Sequence, residues 1–323
     1  MHFPETRLRR LRRSPALRNM VRETHVTPHD FIYPMFVEQG ATTPTPIDSM
    51  PGIQRVPEAG LAAEVKRLHG LGVQAVMLFG VSQCKDATGS DSLKNDGLLA
   101  RMLHTAKGAV PEMVVIADNC FCEYTDHGHC GIVGEDGVDN DATLENLATQ
   151  ALVCARAGAD MLAPSAMMDG QIAIMRDALD AEGYDHLPLM AYASKFASGF
   201  YGPFRAAAGC ALKGDRKQYQ MDPANGREAL REAEQDEAEG ADILMVKPGL
   251  PYLDVLARLR TETDLPLAVY NVSGEYAMLK FAAQAGAIDE EKAMLEMMTC
   301  FKRAGADVIL SYFAPEVCAI LQE

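Results

Sequence analysis

Two lysines each close an apolar run: Lys195 follows Leu187-Pro-Leu-Met-Ala-Tyr-Ala-Ser194, and Lys247 ends Ile243-Leu-Met-Val-Lys247. Burying an ammonium is costly unless its charge is lost or paired. An unperturbed lysine has a pKa of about 10.4, so roughly one in 2,500 is neutral at pH 7. An apolar wall and a neighbouring cation both favour the neutral form, and a shift of ~3 units would supply about a thousandfold more free amine. Free amines attack ketones to give Schiff bases, and two amines can hold two carbonyl substrates at once. Taken singly, each lysine reads equally well as a surface residue with its stem on apolar neighbours. The pairing points to chemistry.

A second group is Asp118-Asn-Cys120-Phe-Cys122-Glu-Tyr-Thr-Asp-His-Gly-His-Cys130. Thiols spaced C-x-C-x7-C suit zinc, and His127 or His129 could complete a closed structural site. With neither, three ligands leave a position open for water or substrate, which is the catalytic pattern. Chance cysteines in a loop are the bland alternative. A third group is Arg205 and Arg216, in a polar, turn-rich stretch from Phe196 to Pro223. A loop of that length inside a compact domain usually serves as a lid or binding loop. Most loop arginines are merely solvated, but two forked guanidiniums there suit clamping a carboxylate.

The elements that must position these groups alternate regularly. β-rich runs are expected at Phe31–Val37, Ala75–Val81, Met113–Asp118, Met161–Ser165, Leu187–Ser194, Ile243–Lys247, Pro266–Val272 and Val308–Phe313. Helical stretches lie near residues 58–70, 95–107, 142–157, 170–182, 225–239, 252–263, 274–303 (read as two helices) and 315–322. Eight such units match a (β/α)8 TIM barrel. The repeat Ala157-Gly-Ala-Asp160, Glu239-Gly-Ala-Asp242 and Ala304-Gly-Ala-Asp307, with Gly70-Leu-Gly-Val73 as a looser relative, supplies a helix stop before every second strand. A doubly wound open sheet is the structural alternative, but Glu38-Gln-Gly-Ala-Thr-Thr-Pro after the first strand is no phosphate loop. In a barrel, strand ends converge on one mouth. Asp118, Cys120, Ser165, Tyr192, Lys195, Lys247, Ser273, Ser311 and Tyr312 would meet there, with Ser273 and Tyr312 able to bond a second acid group.

The remaining composition sets bounds. The chain has 323 residues, 48% hydrophobic and 23% charged, with a formal net charge of −15. That charge argues against nucleic acid as a partner. No apolar span suits a membrane helix, and the first residues lack a signal-peptide pattern, so a cytoplasmic protein with reduced cysteines is expected. Arg7, Arg9, Arg10, Arg12, Arg13, Arg18 and Arg22 crowd residues 1–27. We read these as an arm docking on the acidic surface of another copy, with a transit peptide or polyanion-binding tail as alternatives, and 28–323 as the barrel.

Longer motifs carry a resemblance. Ser49-Met-Pro-Gly52, Cys120-x-Cys-Glu-Tyr-Thr-x-His-Gly-His-Cys130, Lys195-Phe-Ala-Ser-x-Phe-Tyr-Gly-Pro-Phe-Arg205, Gly214-Asp-Arg-Lys-x-Tyr-Gln-Met-Asp-Pro223, Met245-Val-Lys-Pro-Gly249 and Val272-Ser-Gly-Glu-Tyr276 stand in order along the chain. Together they closely resemble the porphobilinogen synthase (5-aminolevulinate dehydratase) family, zinc-dependent type. The resemblance implies condensation of two 5-aminolevulinate molecules to porphobilinogen, with loss of two waters, in tetrapyrrole (heme) biosynthesis. It implies that Lys247 forms a Schiff base with the propionate-side substrate and that Lys195 holds the acetate-side one. It assigns Zn2+ to Cys120, Cys122 and Cys130. One carboxylate falls to Arg205 and Arg216, the other to Ser273 and Tyr312. Glu232 matches a ligand of an activating, allosteric Mg2+ in some members, and a homo-octamer with the arm embracing a neighbour is implied. Asn119 and Phe121 stand where many members carry aliphatic residues, and Ala206 and Lys213 sit in a variable part of the lid; none touches these roles. A one-lysine aldolase and a zinc-stabilised binding module are the competing functions.

Overall fold

The structure is a computed structural model and describes residues 2–210, 212 and 214–322; Lys213 lies outside the described residues. Eight strands of the main sheet form its barrel: β1 Phe31–Glu38, β2 Ala75–Val81, β3 Val114–Asn119, β4 Met161–Pro164, β5 Met190–Lys195, β6 Ile243–Lys247, β7 Leu267–Asn271 and β8 Val308–Ser311. Their order is β4-β3-β2-β1-β8-β7-β6-β5, all neighbours parallel. The two ends meet through a bridge between Leu162 and Leu189, with Leu162 N–H donating to Pro188 O at 3.0 Å. The sheet is therefore the expected (β/α)8 barrel.

The helices are α1 Pro15–Met20 in the arm, then α2 Leu61–Gly70, α3 Leu98–Ala109, α4 Asn140–Arg156, α5 Gln171–Ala181, α6 Gly202–Ala207, α7 Glu228–Ala238, α8 Leu253–Glu262, α9 Ser273–Gln284, α10 Glu290–Arg303 and α11 Ala314–Leu321. Among the described residues no helix is long and apolar enough to cross a membrane. Most strands are buried along nearly their whole length, as expected where helices cover the outside and side chains fill the inside. Residues 2–27 include no buried position, and Phe3, Leu8 and Met20 are largely exposed.

The glycine repeat has a mechanical meaning. Gly158, Gly240 and Gly305 adopt φ of +87°, +103° and +113°, where a side chain would be strained. The aspartate two residues on then ties its strand to the preceding one. Asp160, Asp242 and Asp307 each accept a backbone N–H at 2.8 Å, from Val115, Leu189 and Leu267. Each also donates its own N–H to the carbonyl of that same residue. The repeat thus sets strand register at the bottom of the barrel, opposite the mouth.

Register changes once, between β5 and β6. Leu244 pairs with Ala191, but Val246 pairs with Ser194 and Lys247 with Lys195. Tyr192 and Ala193 therefore stand opposite the single residue Met245, a bulge that reverses the inside–outside alternation of β5. Ser194 turns outward, its hydroxyl donating to Ala229 O of α7 at 3.0 Å. Tyr192 and Lys195, three apart in sequence, both face inward.

Candidate active site

The cavity at the mouth is lined by Asp118, Cys120, Cys122, Glu123, Ser165, Lys195, Tyr201, Phe204, Arg205, Arg216, Lys247, Ser273 and Tyr312, with a few neighbours. It brings the residues expected to touch substrate into one space. Its free volume is about 20 Å3, enough for about one water.

Both lysines are buried, Lys195 at 4% and Lys247 at 7% exposure. Lys195 Nζ donates to Ser165 O at 2.5 Å. Lys247 Nζ lies 4.1 Å from the Tyr270 ring centroid, 4.9 Å from Tyr192 and 5.3 Å from Phe204. Ring faces favour a cation, yet burial first and the neighbouring Lys195 second bring the Lys247 amine down to about 7. Asp118 accepts from Ser165 Oγ at 3.1 Å. Burial, then the Glu123 carboxylate, pushes Asp118 up to about 7.

Cys120, Cys122 and Cys130 are unbridged and buried, and their sulfurs lie within 4.8 Å of one another. Cys120 Sγ and Cys122 Sγ are 3.4 Å apart. Burial pushes the Cys120 thiol well above its ordinary range. Neither candidate fourth ligand joins them among the described residues. His127 Nε2 meets Ala87 O at 3.1 Å and His129 Nδ1 meets Tyr219 Oη at 3.1 Å. Three converging sulfurs, with Cys120 and Cys122 at the wall of the cavity, fit a thiophilic cation with one side open.

Arg216 is buried; its Nη2 donates to Gly128 O at 2.9 Å while its Nε lacks a partner. An orphaned donor on a buried guanidinium is what a carboxylate would complete. Arg205 lines the same cavity from α6 and is half-buried. Ser273 opens α9, and its Oγ accepts the Phe204 N–H at 2.9 Å. Tyr312 Oη lies 3.3 Å from Tyr270 Oη. Ser311 turns away, donating to Asn271 Oδ1 at 2.8 Å.

Glu232 lies outside this cavity, in a groove also lined by Asp169, Asp236 and Glu239. Burial and its acidic neighbours raise Glu232, and Asp236 is pushed up to about 8 by burial, then Glu239. Glu232 has no two other ligands gathered within 4.8 Å among the described residues.

Sequence reasoning missed Glu123, whose buried Oε1 has no partner, and the aromatic walls Phe79, Tyr201 and Tyr270. Their spacing carries no signal, because they converge only through the barrel.

Fold and cavity together define a (β/α)8-barrel enzyme with its site at the carboxyl ends of the strands. The profile described as Delta-aminolevulinic acid dehydratase matches residues 5–320, and the chain belongs to that family. Its Escherichia coli K12 relative is 59% identical over 308 residues, covering 95% of each chain. The Helicobacter pylori relative is 54% identical over 318 residues, 98% of each. The crystal structure of the Toxoplasma gondii enzyme (porphobilinogen synthase), in complex with the reaction product porphobilinogen, superposes with a TM-score of 0.94 at 47% identity. It covers 97% of this chain and 90% of that one.

Proposed function

We propose that this chain condenses two molecules of 5-aminolevulinate to porphobilinogen with loss of two waters, as a lyase of tetrapyrrole synthesis. The observation that carries the reading is the pair of buried amines, Lys195 and Lys247, side by side against one set of sulfurs and guanidiniums.

Lys247 Nζ attacks the ketone of one substrate, and expulsion of water leaves a Schiff base, the propionate-side assignment. Lys195 Nζ engages the second ketone in the same way on the acetate side. One carbon–carbon and one carbon–nitrogen bond then join the substrates, releasing both lysines. Over the whole reaction two waters leave. Asp118, hydrogen-bonded to Ser165 and electrostatically coupled to both amines, is placed to take and return protons. Arg205 and Arg216 grip one carboxylate, and Ser273 and Tyr312 the other. For Ser273 this means giving up its contact with the lid.

Cys120, Cys122 and Cys130 hold Zn2+ in this reading, and the cation supplies Lewis-acid polarisation and charge stabilisation. Glu232, which lines the acidic groove with Asp169, Asp236 and Glu239, would hold an allosteric Mg2+ in this reading. Residues 1–27 are an arm and 28–323 a catalytic barrel. The exposed arginines and apolar side chains of the arm suit contact with other copies in an octamer. The expected setting is the cytoplasm.

The direct test is to incubate the protein with 5-aminolevulinate and assay porphobilinogen, then trap with borohydride and map the adduct. An adduct at Lys247 together with product supports the reading. A single adduct without product favours an aldolase, and no adduct at all refutes amine chemistry.

A further inference from the structure

Ser49-Met-Pro-Gly52 belongs to a segment that the chemistry above does not use. Its backbone folds into a hairpin, Thr45–Pro46 pairing antiparallel with Gln54–Pro57. Ile47 N–H donates to Ile53 O at 3.0 Å, and Met50 N–H to Ile47 O at 2.8 Å. Tyr276 Oη fastens the turn to α9 by donating to Pro51 O at 2.6 Å. The second hairpin strand then runs beside the end of β1, with Val56 opposite Val37.

That placement aims Arg55 at the lid. Its Nε donates to Ala207 O at 2.7 Å and its Nη2 to Ala206 O at 2.7 Å. Its Nη1 is braced by Glu38 Oε1 at 3.0 Å, the last residue of β1. Lys85 Nζ donates to Gly209 O at 2.8 Å just beyond. The last carbonyls of a helix lack intrahelical partners and favour cations. In α6 the Arg55 guanidinium meets the last two of them, and Lys85 holds the turn that follows. The same short helix carries Phe204 and Arg205 into the cavity, and its other end rests on Ser273 Oγ.

We propose that Arg55, backed by Lys85, is the catch of the lid: a positioning residue that holds α6 over the amine cavity and so sets affinity for the acidic ketone. The part concerning affinity rests on the substrate assignment given above.

The test compares wild type, Arg55→Ala, Arg55→Lys and Lys85→Ala by amide exchange without substrate and by steady-state kinetics. Losing two charge-assisted bonds is expected to speed exchange across residues 202–209 by about tenfold and raise KM for 5-aminolevulinate by about tenfold. kcat stays within about threefold, and exchange in the barrel strands is unchanged. Arg55→Lys, which keeps the charge but not the fork, falls between. Lys85→Ala, a change on the surface, gives the same pattern more weakly. Unchanged lid exchange in Arg55→Ala overturns the proposal, and so does loss of protection spread evenly over the barrel. Faster lid exchange with unaltered KM also overturns it while leaving the substrate assignment standing. A wild-type chain that forms no porphobilinogen refutes that assignment separately, because the exchange measurement needs no substrate.

Discussion

Lys195 and Lys247 are direct partners in the β5–β6 ladder, and both amines lie over the ring of Tyr192, at 5.3 and 4.9 Å from its centroid. Each is therefore part of the other's electrostatic environment, and Tyr192 is a shared floor.

This pairing sets a pH dependence. The Lys247 amine is lowered to about 7, with burial the larger cause and Lys195 the next. A lowered lysine is neutral above its pKa, so the rate of borohydride-trapped adduct formation at Lys247 rises with pH through about 7 and levels off beyond it. Lys195→Met removes the neighbouring cation, and the profile moves to higher pH. A profile in the variant unchanged or displaced to lower pH contradicts the coupling. Sign for stability: the unfolded lysine binds a proton up to 10.5 while the folded one has lost it above about 7. This group's contribution to stability therefore rises with pH across that window.

Removing one sulfur separates metal chemistry from folding. Cys122→Ala is expected to abolish stoichiometric zinc in elemental analysis and to lower activity by about a hundredfold or more, as loss of a charge-stabilising group does. The truncation of one small buried side chain is expected to cost on the order of 1 kcal/mol, so thermal unfolding stays cooperative. Full turnover in a rigorously metal-free wild-type sample defeats the catalytic role.

Arg216 is the buried member of the arginine pair. Arg216→Ala removes a charge-assisted partner of the substrate carboxylate, worth about 1.5–3 kcal/mol, and should raise KM by roughly 10- to 100-fold. Arg216→Lys restores little, since an ammonium lacks the planar fork. Initial-rate measurements across substrate concentration read this directly.

Glu275, fully buried, accepts the N–H groups of Gly249 at 2.9 Å and Leu250 at 3.1 Å, and Asn271 Nδ2 at 2.7 Å. It thereby fixes the turn that follows Lys247. Glu275→Ala strands these donors and is expected to cost about 2–4 kcal/mol in urea unfolding, with slower adduct formation at Lys247. Unfolding and trapping that both match wild type would remove Glu275 from any positioning role.

The arm makes a prediction about assembly. If the proposed octamer forms, deleting residues 1–27 should convert it to smaller species in sedimentation velocity, while far-ultraviolet dichroism of the barrel is retained. An octamer persisting after the deletion would show that the barrels associate without it.

Much of the fold could be read along the chain. Each of the eight strand runs lands within a few residues of an observed strand, because parallel strands buried on both faces are continuous apolar runs. The Gly-Ala-Asp repeat marked the joints because it does local work: a left-handed turn, then a carboxylate on the previous strand. The thiols were legible for the same reason, being close in sequence. Glu123, Tyr201 and Tyr270 were not, since nothing in their spacing distinguishes them from core residues. The fate of His127 and His129 was equally hidden, because their partners Ala87 and Tyr219 lie far away in the chain.

By itself, then, the sequence determined the residue types of the site and the strands that carry them, since apolar periodicity and helix stops are properties of consecutive residues. Only the tertiary structure decided which way those residues face. Strict alternation along β5 would send Tyr192 and Lys195 to opposite sides. The bulge opposite Met245 puts both inside and sets Lys195 level with Lys247. The reason is physical: a bulge is a mismatch between two strands, and a mismatch exists only once the strands have paired.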